Sequence, residues 1–586
     1  MKIKDIKYLA VVAALGFGMS SCNDFLDRPA EDNYNAGNFY QTDEQCYQGV
    51  NYLYNSPWYD FQRGFIKVGE VLSGNMYWGS SPYLTFTING TDQDLVNMSY
   101  SLWAVISHCS TVYNNLQASP ASKEAREACM GETLVFKALA YFYLVRSFGD
   151  VPIIHNISDE LNGAYNSKFK VKRADVYEYI VMTLEKAMEL LPKTASAPGR
   201  IDYYCAEGLL AKVYLTRAGL SGSLNTEDLK KSATYAKDVI DNSGRKLLDN
   251  YSDIFRLANN TNEESLIAWR WQAGRDPWTQ QNTLQSDLAP VGFDEWGDCW
   301  GGYGGPSVDL QDAFGIDILE DPSSRTDIDT RRKATMMLPG DKYEYFWQDK
   351  KDKDGFTGFN VLQFCYDGEY GKGGPGEWQS PTGAYNVKHL YGNNYDHVQA
   401  TGVASGNMYS ALATHILRLA DVYLIYTEAM MGGTGSTSDA SAIDAYYQVR
   451  HRAIPTYYDK PSVVTWDDVW KERRLELAGE GDRWYDYVRL SYYNPQRAIK
   501  ELTSQRRNSY WNVNALYKYY YESGKWDISE AAKKENAGEA GYDTKTAAPN
   551  VTEKSFTLPF PSEDVVYNPN LLKDPVSCDV RQEYAY

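Results

Sequence analysis

Four successive stretches between residues 124 and 241 carry apolar side chains at helical spacing, and this feature constrains the fold most. In residues 124–148 one face of a helix holds Leu134, Ala138, Tyr141, Val145 and Phe148. The other predicted helices are 173–191, 203–218 and 226–241. Helices of this length must stack to bury their apolar faces. The chain is therefore predicted to be mainly α-helical, with tetratricopeptide-like helix-pair repeats forming a scaffold.

The middle of the chain loses this periodicity. Glycine, aspartate and tryptophan become frequent between residues 242 and 406, as in 296–306 and 371–376. A large loop-rich insertion in a compact protein is usually functional, so we expect it to carry the ligand site. Helices are predicted again over 412–431, from the N-cap Asp439 to Arg452, and within 466–490.

The N-terminus has the pattern of a bacterial lipoprotein signal. Lysines at positions 2, 4 and 7 precede an apolar run over residues 9–19, two serines and then Cys22. The run is shorter than the about 20 residues that span a bilayer. Cys22 is the predicted lipidation site, with an ordinary signal cut beside a chance cysteine as the alternative. The other cysteines form no CxxC motif; several are expected to be buried, and their disulfide pairing stays open.

The predicted organisation follows from these shifts in pattern. Residues 1–21 are the signal peptide, 22–38 a lipidated tether, and 39–586 a single domain. Within the domain, 39–246 hold mostly helical repeats, 247–408 the loop-rich ligand-binding region, 409–500 returning scaffold helices, and 501–586 a mixed C-terminal region.

The composition narrows the classes of partner. The chain has 58 Lys+Arg against 77 Asp+Glu, a formal net charge of −19, which argues against sequence-independent binding of nucleic acid. Aromatic residues make up 14%, with 49 tyrosines against 19 phenylalanines. Rings that carry a hydroxyl favour half-wet surfaces and grooves, which is typical of a binding protein.

No pattern predicts catalysis, a cofactor or a metal site. The chain contains neither HExxH nor a nucleophile elbow. Five carboxylates alternate with arginines, so we interpret them as a structural ion network rather than a glycosidase acid pair. They are Glu472, Glu476, Glu480, Asp482 and Asp486 among Arg473, Arg474, Arg483 and Arg489. Arg418 and Asp421 are interpreted in the same way. Asp349, Asp352 and Asp354 lack calcium-loop spacing and predict a solvated turn.

Several motifs, in order along the chain, resemble the SusD/RagB family of nutrient-binding outer-membrane lipoproteins of Bacteroidetes. They include ETLVFKALAYF with FGDVP at 132–152, LRLADVYL at 417–424, and RHRA at 450–453. ERRLE at 472–476, GDRWYD at 481–486 and LPFP with NPNL at 558–571 complete the run. The resemblance implies a helical scaffold, a non-catalytic role in polysaccharide uptake at the cell surface, and a SusC-like TonB-dependent transporter as partner.

The resemblance also implies where a glycan binds: on aromatic residues of an early loop and of the region after the first repeats. Glycine-rich loops can hold an indole out to solvent, where the apolar face of a sugar packs on it. The glycan-binding residues predicted by position are Trp78, Trp278, Trp296, Trp300, Tyr303, Arg63, Asn75 and Asp298. The net negative charge favours a neutral glycan. A peptide-binding relative from a peptide importer is the alternative, and a glycoside hydrolase is a third.

Overall fold

The computed structural model describes residues 39–160, 167–274, 278–295, 297–406 and 408–586. The predicted signal peptide, the tether with Cys22, and Trp296 lie outside the described residues.

The scaffold is a run of antiparallel helices. After α1 (Asp43–Asn51) it consists of α2 (Gln93–Ala118), α3 (Lys123–Phe148), α4 (Arg173–Leu190), α5 (Tyr203–Arg217) and α6 (Thr226–Asn242). Each helix from α2 to α6 packs against the next. The four predicted helices are confirmed with ends displaced by at most one residue, and the fold is mainly helical with tetratricopeptide-like pairing, as predicted.

Local sequence sets the ends of these helices. The Ser122 side chain accepts a hydrogen bond from the Ala125 N–H at the start of α3, and Gly149, with φ 74°, ends it. Asp202 caps α5 in the same way. By length and composition α3 is the one described helix apolar enough to cross a membrane, but 94% of its apolar window is buried, as in a core helix.

The scaffold resumes after the loop-rich region. It continues with α7 (Leu419–Ala429), α8 (Ala440–Ala453), α9 (Trp466–Leu477), α10 (Arg483–Tyr493), α11 (Pro495–Ser504) and α12 (Val513–Ser523). Helix α7 packs on α6 and on α8 and α9, which joins the returning helices to the first repeats. The prediction of Asp439 as an N-cap is confirmed, since its carboxylate accepts from two backbone N–H groups of α8.

One helix prediction was wrong in extent, and the helix predicted within 466–490 is confirmed as two helices. Residues 414–418 form a strand that pairs with Ser265–Trp269, so the helix predicted over 412–431 begins only at Leu419. Propensity over one stretch cannot reveal a partner strand that lies far away in the chain. The segment 466–490 is broken between α9 and α10, where Gly479 and Gly481 have φ of 83° and 71°.

The strands are short and pair in antiparallel twos. They are β1 (Met76–Trp78), β2 (Ser265–Trp269), β3 (Gly304–Pro306), β4 (Met336–Met337), β5 (Lys342–Tyr343), β6 (Phe359–Asn360), β7 (Tyr385–Asn386), β8 (Thr414–Arg418), β9 (Ser436–Thr437), β10 (Val464–Thr465), β11 (Tyr510–Trp511) and β12 (Gly541–Tyr542). The pairs are β1–β3, β2–β8, β4–β7, β5–β6, β9–β10 and β11–β12. Pair β1–β3 joins the early loop to the loop-rich region and positions the candidate site.

The predicted ion network is present and buried. Glu476 accepts from Arg452 at 2.6 Å and lies 3.1 Å from both Arg418 and Arg331. Burial alone would raise its pKa, but the surrounding arginines outweigh this and lower it to about 2. The network ties α9 to β8, α8 and the loop-rich region.

Arg418 and Asp421 belong to buried ion networks, as interpreted, but they do not pair with each other. Arg418 lies in a strand and bonds Glu264 at 2.5 Å and Glu480 at 2.6 Å. Asp421 lies in α7 and pairs with Lys212 at 2.7 Å and Arg473 at 2.5 Å instead. The change from strand to helix between Arg418 and Asp421 removes the helical spacing on which the prediction depended.

The turn around Asp352, predicted to be solvated, is instead held together by the buried Asp352 carboxylate. This carboxylate accepts hydrogen bonds from the backbone N–H groups of Asp354 and Phe356 and from the Asn360 side chain.

The seven described cysteines are free, and six of them are buried, as predicted for small apolar residues.

Candidate functional site

The strand pair β1–β3 places aromatic residues from two distant parts of the chain side by side. Trp78 pairs with Gly304, directly after Tyr303. Trp78 is half-buried against the core, whereas 60% of Tyr303 is exposed. The pairing therefore brings together the early aromatic loop and the later one, as the predicted site requires.

Trp300 is the most open predicted indole in the described chain, with 49% of its surface exposed. Its edge is held, because Nε1 donates to Asp287 Oδ1 at 2.9 Å and its backbone N–H donates to the Ser286 carbonyl at 2.9 Å. A Cβ on the next residue, Gly301, would lie 2.2 Å from the Asp287 carbonyl oxygen. Glycine there lets the loop lie directly on the short helix Leu284–Leu288.

Two buried carboxylates connect the rings to cations. Arg63 Nε lies 3.7 Å from Asp287 Oδ2 and 3.5 Å from Asp94 Oδ1. Asp94 also pairs with Lys67 at 2.5 Å, and the Lys67 ammonium lies 5.1 Å from the centre of the Trp78 ring. Burial raises the pKa of Asp287, and the charge of Arg63 opposes that rise. The Asp94–Asp287 pair thus supports Trp300, Arg63 and Trp78 from beneath.

Trp278 joins this group through a residue that the sequence reasoning missed. Its Nε1 donates to the Tyr59 hydroxyl. Tyr59 is half-buried in the turn Ser56–Phe61, four residues before Arg63, and burial raises its pKa. The spacing of four residues between Tyr59 and Arg63 is the sequence signal that could have identified Tyr59. An aromatic ring one helical turn before a predicted polar contact lies on the same face as that contact. We name the group Tyr59, Arg63, Trp78, Trp278, Trp300 and Tyr303 the aromatic shelf.

The two remaining polar residues of the predicted glycan site, Asn75 and Asp298, lie at different places relative to the shelf. Asn75 is 1% exposed, donates to Glu70 Oε2 at 3.0 Å and accepts from Arg474 Nε at 2.8 Å, so its amide is engaged below the shelf. Asp298 is half-buried in the turn before Trp300, and its backbone N–H donates to Asp294 at 3.0 Å. Asp298 therefore remains beside the shelf, whereas Asn75 supports β1.

The remaining loop tryptophans are core residues. Trp58, Trp269, Trp271, Trp347 and Trp378 are at most 4% exposed. Trp58 and Trp269 stack with ring centres 5.1 Å apart, and Trp347 Nε1 donates to the Phe293 carbonyl at 2.8 Å. The stretches of sequence around these tryptophans did not reveal their burial, which depends on tertiary packing.

The side chains of the shelf are suited to non-covalent binding of a ligand. It offers flat rings, an exposed guanidinium and a phenol hydroxyl, while its two carboxylates are paired with cations. Within the described ranges no group of three or more His, Cys, Asp or Glu side chains is arranged to hold a metal ion. These groups suit a ligand with apolar faces and many hydroxyls.

Comparisons with known proteins identify the family of the chain. The model of the SusD family matches residues 264–576, and a family described as starch-binding and associating with the outer membrane matches residues 24–215. A SusD-like protein of Bacteroides ovatus is 31% identical over 97% of both chains. The starch-binding protein SusD of Bacteroides thetaiotaomicron is 27% identical over 45% of this chain and 51% of its own.

A solved structure with xylogluco-oligosaccharide shares the fold over most of the molecule. Its TM-score is 0.72 at 28% identity, and the match covers 91% of this chain and 99% of that one.

Proposed function

Because the chain belongs to the SusD family, we propose that it is a non-catalytic carbohydrate-binding protein that captures an oligo- or polysaccharide on the aromatic shelf. The observation that carries the proposal is the exposed Trp300 ring, held at its edge by Asp287. Relatives of this chain include a starch-binding protein and a structure with xylogluco-oligosaccharide, which supports a sugar ligand.

The rings bind sugar through its apolar face. Covering about 40–50 Å² of that face at about 25 cal/mol/Å² contributes about 1 kcal/mol for each ring. Two or three rings, with hydrogen bonds donated by Arg63 and accepted by Asp298, less the cost of association, correspond to dissociation constants from about micromolar to millimolar. Repeated units of a polymer add avidity, which suits capture from solution.

We further propose that the ligand is a neutral glycan. The Arg63 guanidinium already faces Asp94 and Asp287, so its charge is balanced within the protein. The chain carries a formal net charge of −19, which repels a polyanionic polymer over long distances.

Delivery and anchoring complete the proposed role. Lipidation of Cys22 would hold the protein at the outer-membrane surface, and a SusC-like TonB-dependent transporter would receive the glycan. We propose that the helical scaffold faces the transporter, because the residues of the shelf lie outside the scaffold helices. The family match to proteins associating with the outer membrane supports this location.

Glycan binding by the chain without residues 1–22 tests the proposal. Xyloglucan, starch and peptide mixtures are titrated calorimetrically, and we expect binding of a neutral polysaccharide. Trp300→Ala removes one ring and is expected to weaken that binding about fivefold, the equivalent of about 1 kcal/mol. Trp511→Ala removes an exposed indole that packs against Gly541 of the paired strand β12, and it should leave binding unchanged.

Binding of a peptide in place of every glycan would contradict the proposal. Equal effects of the two tryptophan variants would contradict the assignment of the shelf. Release of reducing sugar from a bound polysaccharide would show a hydrolase instead.

A further inference from the structure

A second cleft, which shares no residue with the aromatic shelf, lies between the segment before α5 and the strand β2. Its volume is about 450 Å³, within the range of about 300–1,000 Å³ typical of ligand sites. Its charged lining residues are Lys193, Arg200, Arg245 and Arg270 against Asp202 and Glu263. The cleft is therefore locally basic in a protein whose formal net charge is −19.

Arg270 is the centre of this cleft. Its guanidinium donates to the backbone carbonyls of Asn260 and Gly199. Among the described residues no carboxylate lies within 4 Å of it, although most guanidinium groups in this protein have one. Burial lowers the pKa of Arg270, which reflects the cost of a charge that no carboxylate of the described ranges balances at close distance.

The backbone is shaped to admit this side chain. Gly199 has φ 83°, and a Cβ at that position would lie 1.8 Å from Arg270 Nη2. A side chain at this position would force the guanidinium to shift. The position of Arg270 thus depends on a glycine in a conformation that other residues avoid.

The neighbouring cations are balanced to different degrees. Arg245 pairs with Asp202 at 2.8 Å, and Arg200 pairs with Glu132 at 3.0 Å behind the cleft. Arg200 nevertheless keeps its Nη2 buried without a hydrogen-bond partner. Lys193 stands over the Tyr203 ring at 5.4 Å. Arg270 and Lys193 are left to attract an anion, and the exposed Glu263 opposes them.

We propose that this cleft binds the carboxylate of an acidic sugar through Arg270. A planar guanidinium pairs with a carboxylate through two parallel hydrogen bonds, which a neutral sugar cannot supply. The hydroxyls of Thr194, Ser243 and Thr261 line the same cleft and match the hydroxyls of a sugar ring. The cleft shares no residue with the shelf, so the acidic sugar proposed here is a ligand separate from the neutral glycan proposed for the shelf.

Calorimetric titration with glucuronate, glucose and acetate at constant ionic strength tests this site in the chain without residues 1–22. Glucuronate is expected to bind, glucose not to bind, and acetate to bind more weakly than glucuronate because it lacks hydroxyls. Arg270→Gln should weaken glucuronate binding about tenfold or more. Arg581→Gln removes one exposed positive charge from the surface and should leave it unchanged.

A second variant and a second ligand distinguish loss of this site from loss of the fold or of the shelf. Gly199→Ala, which displaces Arg270 without changing its charge, should reproduce the loss, and thermal melting reports whether each variant is folded. Binding of neutral polysaccharide should persist in Arg270→Gln, and glucuronate binding should persist in Trp300→Ala. Equal binding of glucose and glucuronate, or full glucuronate binding by folded Arg270→Gln, would overturn the proposal. Acetate binding as tightly as glucuronate would overturn the recognition of a sugar.

Discussion

A single indole becomes a binding surface when its edge is held and its face stays wet. Trp300 meets both conditions, since Asp287 accepts from its ring nitrogen and half of the side chain is exposed. Trp347 has its ring nitrogen bonded as well, but it is fully buried. The sequence shows that both positions are tryptophans in loop-rich segments. Which of the two rings is exposed depends on what the surrounding loops cover.

Asp287 is predicted to position Trp300 rather than to contact the glycan. Asp287→Ala removes the acceptor at 2.9 Å from the ring nitrogen and should weaken glycan binding about fivefold, the equivalent of about 1 kcal/mol for one hydrogen bond. Asp287→Asn keeps a carbonyl oxygen at the same place and should bind nearly as well as the native protein. Calorimetry of both variants checks this, and equal losses would instead assign the effect to the charge facing Arg63.

At the scale of secondary-structure elements, buried ion pairs connect segments whose relative positions cannot be predicted from local propensity. The strand β8 ends at Arg418, which reaches Glu264 before β2 and Glu476 in α9. The motif in which charges alternate predicted a network, and the structure confirms it. The choice of partners was not predictable, because each pair joins elements distant in the chain.

Glu476 is predicted to make the fold sensitive to acid. Its pKa is lowered to about 2 from an ordinary 4.5, so the stability it contributes is complete above pH 4.5. That contribution is lost as the pH falls from about 4.5 toward 2. Glu476→Gln should lower the free energy of unfolding by about 3–5 kcal/mol at pH 7 and flatten the acid dependence of thermal melting.

The matched control is Glu530→Gln, whose exposed carboxylate pairs with Lys533 at 2.7 Å on the surface. It should change the free energy of unfolding by less than about 1 kcal/mol. A melting profile in which both variants behave alike between pH 7 and 3 would refute the role of the buried network.

For the whole molecule, the separation of scaffold and loops gives the proposed role its geometry. Helices α2 to α6 and α7 to α10 form a continuous support, and the strand pair β1–β3 holds the shelf against it. A rigid support reduces the ordering cost of binding, because the rings are in place before the ligand arrives. In the proposed role, attachment to the outer membrane would decide where captured glycan is held.

Cys22→Ser is predicted to release the protein from the membrane. The Cys22 thiol is the proposed attachment point for lipid, and stable anchoring requires acyl chains that serine at this position would not receive. Fractionation of cells and metabolic labelling with palmitate measure the result. Cys578→Ser, which changes a half-buried cysteine elsewhere, should remain labelled and membrane-bound. Retention of Cys22→Ser in the membrane fraction would contradict lipidation at this residue.

The sequence by itself determined the helical periods, the caps at Ser122 and Asp439, and the ordered motifs of the family, because these depend on residues a few positions apart. Tertiary structure alone decided that Trp300 faces water while Trp58 and Trp269 stack in the core, and that Arg270 has no carboxylate within 4 Å in the described part of the chain. Burial and charge balance are sums over neighbours that come from distant parts of the chain, so no local pattern contains them.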